Sequence, residues 1–236
     1  MNVVIMQPYL FPYIGYFQLV KSTDLFLVHD DAQWIKGGWI NRNYILKQNV
    51  PKLWTMPVRR GSSTASINQR DFVPSSSTEV KKLIRFLMDA YRGAPCFDEV
   101  MPLVVSIISH PTRRVSRLIG HSISLICGYL GINIEISYTS TYRITSDLKG
   151  QSKVIELCKR SGATSYINPA GGTSLYELAD FACNSIELKF LRPNLEVLTN
   201  SSPISQPVSI IHDLMYYDRE EINRRLTQYS LITPST

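Results

Sequence analysis

Four short stretches of this chain hold side chains that do chemistry. His29-Asp30-Asp31 sets an imidazole beside two carboxylates, groups that accept and release protons near neutral pH. Asn41-Arg42-Asn43 places a guanidinium between two amides. That pattern clamps diphosphate or carboxylate oxygens in a bidentate way while the amides fix the rotamer or bond sugar hydroxyls. Gln7, Tyr9, Tyr13 and Tyr16 crowd one amide and three phenols into a single Pro-rich loop. One tyrosine often supplies no more than core area, but the ensemble exceeds what a turn needs and reads as a substrate pocket. Much later, Asn168-Pro169-Ala170-Gly171-Gly172 precedes Tyr176. Two adjacent glycines let backbone N–H groups approach a ligand, and a following helix start favours an anion.

The elements that must position these groups are legible from apolar periodicity. Val3-Val4-Ile5-Met6 reads as a buried strand that stops at two prolines. Gly15 allows a close turn into a helix carrying Phe17, Leu19 and Val20, and Leu25-Phe26-Leu27-Val28 is a second buried strand ending at the acids. Strand, punctuated loop, helix, strand and acids in that order is how α/β proteins place ligand groups at the carboxyl edge of a sheet. Between Pro51 and Phe72 the reading is strand, turn, strand, with Trp54–Val58 β-like and Arg60–Thr64 a loop. Thr78 caps an amphipathic helix over Glu79–Tyr91. Phe97–Ile108 is partly helical, with Pro102 marking a helix start or a kink. A long helix spans Val115–Leu130 and stops at Gly131, followed by a strand over Ile132–Tyr138 and a polar loop to Gly150. A helix over Gln151–Ser161, strands over Thr164–Asn168 and Ile186–Leu191, and a helix capped by Ser209 complete the pattern. The expected architecture is α/β: one compact domain over residues 1–236 with a central, mostly parallel sheet and a helical middle.

Bulk composition narrows the classes. The 236 residues are 44% hydrophobic and 19% charged, ordinary for a globular protein able to bury a full core. No apolar stretch reaches the roughly 20 residues of a membrane helix, and the start lacks the pattern of a signal peptide. Cytoplasm is the expected compartment. Net charge is +6, which suits an acidic partner. The basic residues come in small groups such as Arg59-Arg60 and Lys81-Lys82, so a phosphate-bearing small molecule is expected rather than a nucleic acid. Cys96, Cys127, Cys158 and Cys183 show no metal or redox spacing and read as free, buried thiols. The four histidines are equally dispersed, and no metal cluster is expected.

The same blocks resemble the WbqC-like proteins. The resemblance is carried by Gln7 through Phe17, Asp30-Asp31-Ala32-Gln33, Gly38 through Asn43, Tyr166 through Gly172 with Leu175-Tyr176, Ala94-Pro95, and Ser209 through Met215. It runs in order along essentially the whole chain. It implies a bacterial protein of surface-polysaccharide, typically O-antigen, biosynthesis, and transfer of an acyl or aminoacyl group, such as glycyl, to the amine of a nucleotide-linked amino sugar. Ala32, Trp34 and Gly37 depart from the family pattern beside the expected pocket and point to altered substrate preference.

Such a transfer needs a base for the amine and donors for the developing oxyanion. Adjacent carboxylates disfavour double ionisation, so one of them has a raised pKa. Alternation along a strand leaves one facing the site. Asp31 is read as the base and Asp30 as structural, with His29 as an alternative base. Tyr9, Tyr13 and Tyr16 stack on the sugar or base; Asn168, Gly171 and Gly172 meet the second substrate or the phosphates. Asn41-Arg42-Asn43 has a competing reading as the cap of a helix starting at Tyr44. The acidic pair also suits Mg²⁺. Two rivals remain at this stage. One is a nucleotidyl- or adenylyl-transferring enzyme, weakened because Tyr13 and Tyr16 stand where such enzymes carry histidines. The other is a non-catalytic sugar-nucleotide-binding protein. The acyl donor, the sugar and the oligomeric state are not legible.

Overall fold

A computed structural model describes residues 1–145, 147–194 and 207–233. The first crossover is β1 (Asn2–Met6), α1 (Ile14–Lys21) and β2 (Leu25–Val28). A hairpin follows, β3 (Arg42–Lys47) and β4 (Val50–Thr55), then three helices, α2 (Thr78–Tyr91), α3 (Phe97–Ser109) and α4 (Val115–Tyr129). The chain returns through β5 (Glu135–Tyr138), α5 (Gly150–Ser161), β6 (Ser165–Pro169), α6 (Leu178–Cys183) and β7 (Glu187–Pro193). It ends with α7 (Ile210–Tyr216), α8 (Arg219–Arg225) and β8 (Tyr229–Ile232). Short 3₁₀ turns at Thr139–Tyr142 and Ala170–Leu175 follow β5 and β6.

The six-stranded sheet has the order β5-β2-β1-β6-β7-β8, and only β8 runs antiparallel to its neighbour. The connection after β1 carries the chain to one side, and the connection after β6 carries it to the other. The order therefore reverses between β1 and β6. In open α/β sheets ligands bind outside the strand carboxyl ends at such a reversal. The groups just past those ends are Gln7 after β1, His29-Asp30-Asp31 after β2, Thr139-Ser140 after β5 and Ala170-Gly171-Gly172 after β6.

Two cores, one on each face, hold the sheet. Val4, Phe26 and Val28 point to the face covered by α1, the α2–α4 layer, α7 and α8. Val3, Ile5, Leu25 and Leu27 point to the face covered by Val154, Leu157 and Cys158 of α5 and Phe181 of α6. Side chains alternate across a strand, and a parallel sheet is buried on both faces, so β1 and β2 read as unbroken apolar runs.

Several local expectations shift. Gly15 lies inside α1, and a Cβ there would strike the Tyr13 ring, so the glycine serves close packing rather than a turn. Asn41-Arg42-Asn43 opens strand β3, not a helix at Tyr44. The strand-forming run Tyr44-Ile45-Leu46 closes on β4 through Gln48 and Asn49, both at positive φ, as a two-residue hairpin turn requires. Ser77, not Thr78, caps α2 by accepting from the Val80 N–H at 3.3 Å. Pro102 sits within α3, on its exposed side, where solvent can take the carbonyl that proline cannot bond. Cys183 is exposed and Cys96 half-buried, while Cys127 and Cys158 are buried. Burial pushes both of the latter thiols up to about 12, which keeps them inert.

Candidate functional site

Beyond β2 the chain turns sharply, with the His29 N–H donating to the Met6 carbonyl at 2.7 Å. Asp30 is almost fully buried: its carboxylate accepts from the Ser140 N–H at 3.0 Å and the Ser140 hydroxyl at 2.8 Å. Asp31 is half-buried and bonds the Thr139 hydroxyl at 2.6 Å and the Lys153 ammonium at 2.8 Å. Burial pushes the Asp31 carboxyl up, but the Lys153 and Thr139 hydrogen bonds and the charges of Lys153 and His29 outweigh it. Its pKa therefore lies below the usual carboxylate range, and the raised value expected of a base does not occur there. The reason is the partner on α5: a cation 2.8 Å away outweighs the cost of burial.

His29 is different. Its Nε2 lies 3.5 Å from Asp31 Oδ1 and is buried without a hydrogen-bond partner. Burial and then the Lys153 charge lower its pKa, against the opposing pull of Asp31 and Asp30. Neutral imidazole is therefore the form present near pH 7.

The loop after β1 forms an aromatic pocket of about 310 Å³ lined by Tyr9, Pro12, Tyr13, Trp39, Asn43 and Pro207. Its shape is imposed by strain. Phe11, fully buried, adopts φ +48°, a left-handed conformation that bulky residues avoid. The Phe11 carbonyl is held by Asn43 Nδ2 at 2.9 Å and by the Ser209 hydroxyl at 2.8 Å. The Ile210 N–H bonds the Pro12 carbonyl at 2.9 Å, and the Leu10 N–H bonds the Ile40 carbonyl at 2.9 Å. Desolvation raises the Tyr9 and Tyr13 pKa values, so both phenols stay protonated donors.

A second concavity, a groove of about 770 Å³, has Arg42 in its wall. Trp34, Lys36, Arg42, Arg59, Arg60 and Arg70 give it its character. The Arg42 guanidinium lies 5.3 Å from the centre of the Trp39 ring, so one side chain borders both the aromatic pocket and the groove. Backbone bonds join the groove to the acids: Asn68 N–H to the Asp30 carbonyl at 2.8 Å, Ile67 N–H to Ala32 at 2.9 Å, and Trp34 N–H to Ala65 at 2.9 Å.

The sequence-derived residues divide accordingly. His29, Asp30 and Asp31 meet at the sheet edge, and Tyr9, Tyr13, Asn43 and Arg42 meet around the aromatic pocket. Tyr16 is fully buried with its hydroxyl on the Gln7 carbonyl at 2.9 Å, so it braces the loop and cannot stack on a ligand. Asn41 is buried, and its amide donates to the Met56 carbonyl at 2.7 Å. Asn168, Gly172 and Tyr176 belong to the second core. Tyr166 bonds Asn168 and Tyr176, each at 3.1 Å, and a Cβ on Gly172 would strike the Asn168 amide. Gly172 is thus required by packing, and of the two glycines only Gly171 is exposed.

Sequence reasoning missed Lys153, Thr139, Ser140 and Arg70. No local signal marks them: Lys153, Thr139 and Ser140 reach the acids across 108 to 122 positions, and Arg70 grips backbone carbonyls of the loop just before it. The acidic pair does not fit Mg²⁺ as arranged. Ser140 occupies Asp30, and the Lys153 ammonium sits on the Asp31 oxygen a metal would need. Among the described residues no three His, Cys, Asp or Glu side chains gather as a metal site.

Comparison with known proteins adds a family. The model of the WbqC-like protein family matches residues 7–224, and the chain belongs to that family. It is also similar to the Uncharacterized protein Rv1507c of Mycobacterium tuberculosis, 29% identical over 169 residues, which are 71% of either chain. No solved structure matches.

Proposed function

We propose that this member of the WbqC-like family is a transferase of bacterial surface-polysaccharide biosynthesis, moving an acyl or aminoacyl group onto the amine of a nucleotide-linked amino sugar. The observation that carries this reading is the neutral, unpartnered His29 at the carboxyl edge, 3.5 Å from an Asp31 held anionic by Lys153. An imidazole backed by a fixed carboxylate is suited to removing a proton from an attacking nitrogen. As the amine nitrogen bonds the acyl carbon, His29 takes its proton and Asp31 steadies the imidazolium. The bond from the acyl carbon to the donor's leaving group then breaks, and His29 returns the proton to that group. The sugar or base stacks on Tyr9, Tyr13 and Trp39, and the protonated phenols of the two tyrosines donate to ligand oxygens. A cytoplasmic location goes with this reading; among the described residues no helix is long and apolar enough to cross a membrane.

The test is turnover. Purified protein is incubated with UDP- and dTDP-linked amino sugars and acyl or aminoacyl donors, and products are read by mass spectrometry. A mass gain of one acyl group, abolished in His29→Gln with thermal-shift binding of the sugar retained, supports the assignment. Full activity in His29→Gln removes His29 from the mechanism.

One observation favours a second reading. Numbered along the main sheet alone, the strand order is 3-2-1-4-5-6 with the sixth strand antiparallel, and its five parallel strands follow the order of dinucleotide-binding sheets. Nucleotidyl or adenylyl transfer would use the same edge, and release of pyrophosphate from ATP would identify it.

A further inference from the structure

The groove beside Arg42 has a charge pattern that protein folding alone does not call for. Lys36, Arg42, Arg59, Arg60 and Arg70 line it, and no Asp or Glu does. Among the described residues none of these five has a carboxylate partner; Asp71, next in sequence to Arg70, pairs with Arg114 at 3.4 Å. Five like charges around one concavity repel each other, a cost that a bound anion reverses.

Arg70 carries the strongest evidence. It is only 8% exposed, and its two Nη atoms hold the loop that walls the groove, bonding the Arg59 carbonyl at 2.8 Å and the Ser62 carbonyl at 3.3 Å. Its Nε is buried without a partner, as is Nε of Arg42. A buried guanidinium N–H left unpaired costs on the order of a few kcal/mol and so calls for an acceptor. Gly61 belongs to the same arrangement: a Cβ there would collide with the Arg70 guanidinium as it now lies, so the glycine lets the loop close on the arginine. Trp34 covers the other face of Arg70 at 5.5 Å from its ring centre, which keeps the guanidinium in plane and limits its rotation.

We propose that this groove seats the phosphate chain of a nucleotide, with Arg70 and Arg42 as the fixed donors and Lys36, Arg59 and Arg60 as the mobile charges at its mouth. A volume near 770 Å³ exceeds what one orthophosphate fills. Guanidinium forks match phosphate oxygens in pairs, so a chain of two or more phosphates engages several at once. Arg42 borders the aromatic pocket as well, so a ligand whose ring rests on Tyr9, Tyr13 and Trp39 runs its phosphates across Arg42 into the groove. In placing the ligand's ring there the inference rests on the proposed nucleotide-linked substrate; the anion seat itself does not.

The experiment is isothermal titration of the full chain with inorganic pyrophosphate and with orthophosphate at low salt. Three variants are compared: Arg59→Ala with Arg60→Ala, Arg70→Gln, and Lys81→Ala with Lys82→Ala. The last is an exposed basic pair on α2, outside the groove, and removes the same formal charge as the first. Pyrophosphate should bind about tenfold or more tightly than orthophosphate, as one further set of charge-assisted bonds provides. The Arg59/Arg60 variant should lose about tenfold while the Lys81/Lys82 variant stays within about twofold. Arg70→Gln should abolish binding; if it unfolds by circular dichroism, the exposed Arg59/Arg60 pair decides the matter. Equal losses in the two paired variants overturn the proposal, because only net charge would then be acting. Tighter binding of a single-stranded oligonucleotide than of pyrophosphate, lost in the same variants, also overturns it. Competition by ATP against competition by a UDP-linked amino sugar distinguishes the two sources of the phosphate chain. Pyrophosphate binding without acyl transfer would sink the transferase reading and leave the groove assigned; acyl transfer unaffected by Arg59→Ala with Arg60→Ala would do the reverse.

Discussion

Replacing Lys153 with methionine keeps most of the side-chain stem but removes the charge that holds Asp31. The two groups meet at 2.8 Å with side chains 17% and 25% exposed. A charge-assisted hydrogen bond contributes about 1.5–3 kcal/mol when buried, and exposed ion pairs less than about 1. This partly screened pair falls between, at about 1–2 kcal/mol, which is roughly 3–6 °C in melting temperature for a chain of this length. The pH dependence separates the ion pair from lost packing. Asp31 has a folded pKa below its unfolded value, so its contribution is present above about pH 4 and is lost as pH falls through the folded value. The gap between wild type and Lys153→Met should hold from pH 7 to about 5 and narrow progressively as pH falls below about 4. Differential scanning calorimetry across that range measures it. The His29 pKa, read by NMR, should rise in the variant because the Lys153 charge helps to lower it. A melting difference that persists unchanged at pH 3, or an unmoved His29 pKa, would refute the ion-pair account.

Three further outcomes are expected. Gly172→Ala should cost about 1–3 kcal/mol by overpacking against Asn168, whereas Gly171→Ala, with open space at its Cβ position, should be within about 0.5 kcal/mol of wild type; urea titration compares them. Ser209→Ala removes the bond to the Phe11 carbonyl and the cap on the Ile211 N–H, and chemical unfolding should show a loss of about 1–2 kcal/mol. His212, packed 4.7 Å from the Tyr216 ring, has its pKa lowered by burial to about 4. The unfolded chain therefore binds a proton that the folded chain refuses, and stability falls as pH drops from about 6.5 to 4, by up to about 3 kcal/mol. Denaturant unfolding of His212→Phe at pH 7 and 4.5 should show a smaller acid loss than wild type; an equal loss would assign the effect to other groups.

What could be read from the sequence follows from the range of each interaction. β1, β2, α2, α4 and α5 carry their own periodicity, and each formed within a few residues of its expected span. The carboxyl edge was legible because Pro8, Pro12 and the acids punctuate apolar runs. Tyr13 and Tyr16, three residues apart, could not be separated in sequence: Tyr16 lies in the first turn of α1, buried on Phe26, and Tyr13 lines the pocket. The strand at Arg42–Lys47 was open to a helical reading because asparagines cap helices as readily as they border turns. Lys153 was invisible because it reaches Asp31 across 122 positions. The groove's charges are scattered from Lys36 to Arg70, and only the loop held by Arg70 draws them together. β8 and α8 were missed because a four-residue edge strand and a seven-residue helix carry too little periodicity to stand out.

The ties on the strained loop also bear on the order of events during synthesis. The Phe11 carbonyl waits for Ser209, 198 residues later, and the Gln18 amide in α1 waits for the Arg225 carbonyl, 207 residues later. At roughly 5–20 residues per second a ribosome needs on the order of 10–40 seconds to supply those partners. Through that interval the nascent chain can pair β1 with β2 and Asn43 can reach the Phe11 carbonyl, but the second tie on that carbonyl, from Ser209, is absent. The aromatic pocket thus acquires its final shape only after Ser209 has been made, and truncation before Ser209 should leave a nascent sheet whose pocket loop lacks that tie. A ribosome-stalled chain ending before Ser209 would then be recognised by chaperones through its exposed Tyr9–Phe17 loop, and one extended past β8 would be released from them.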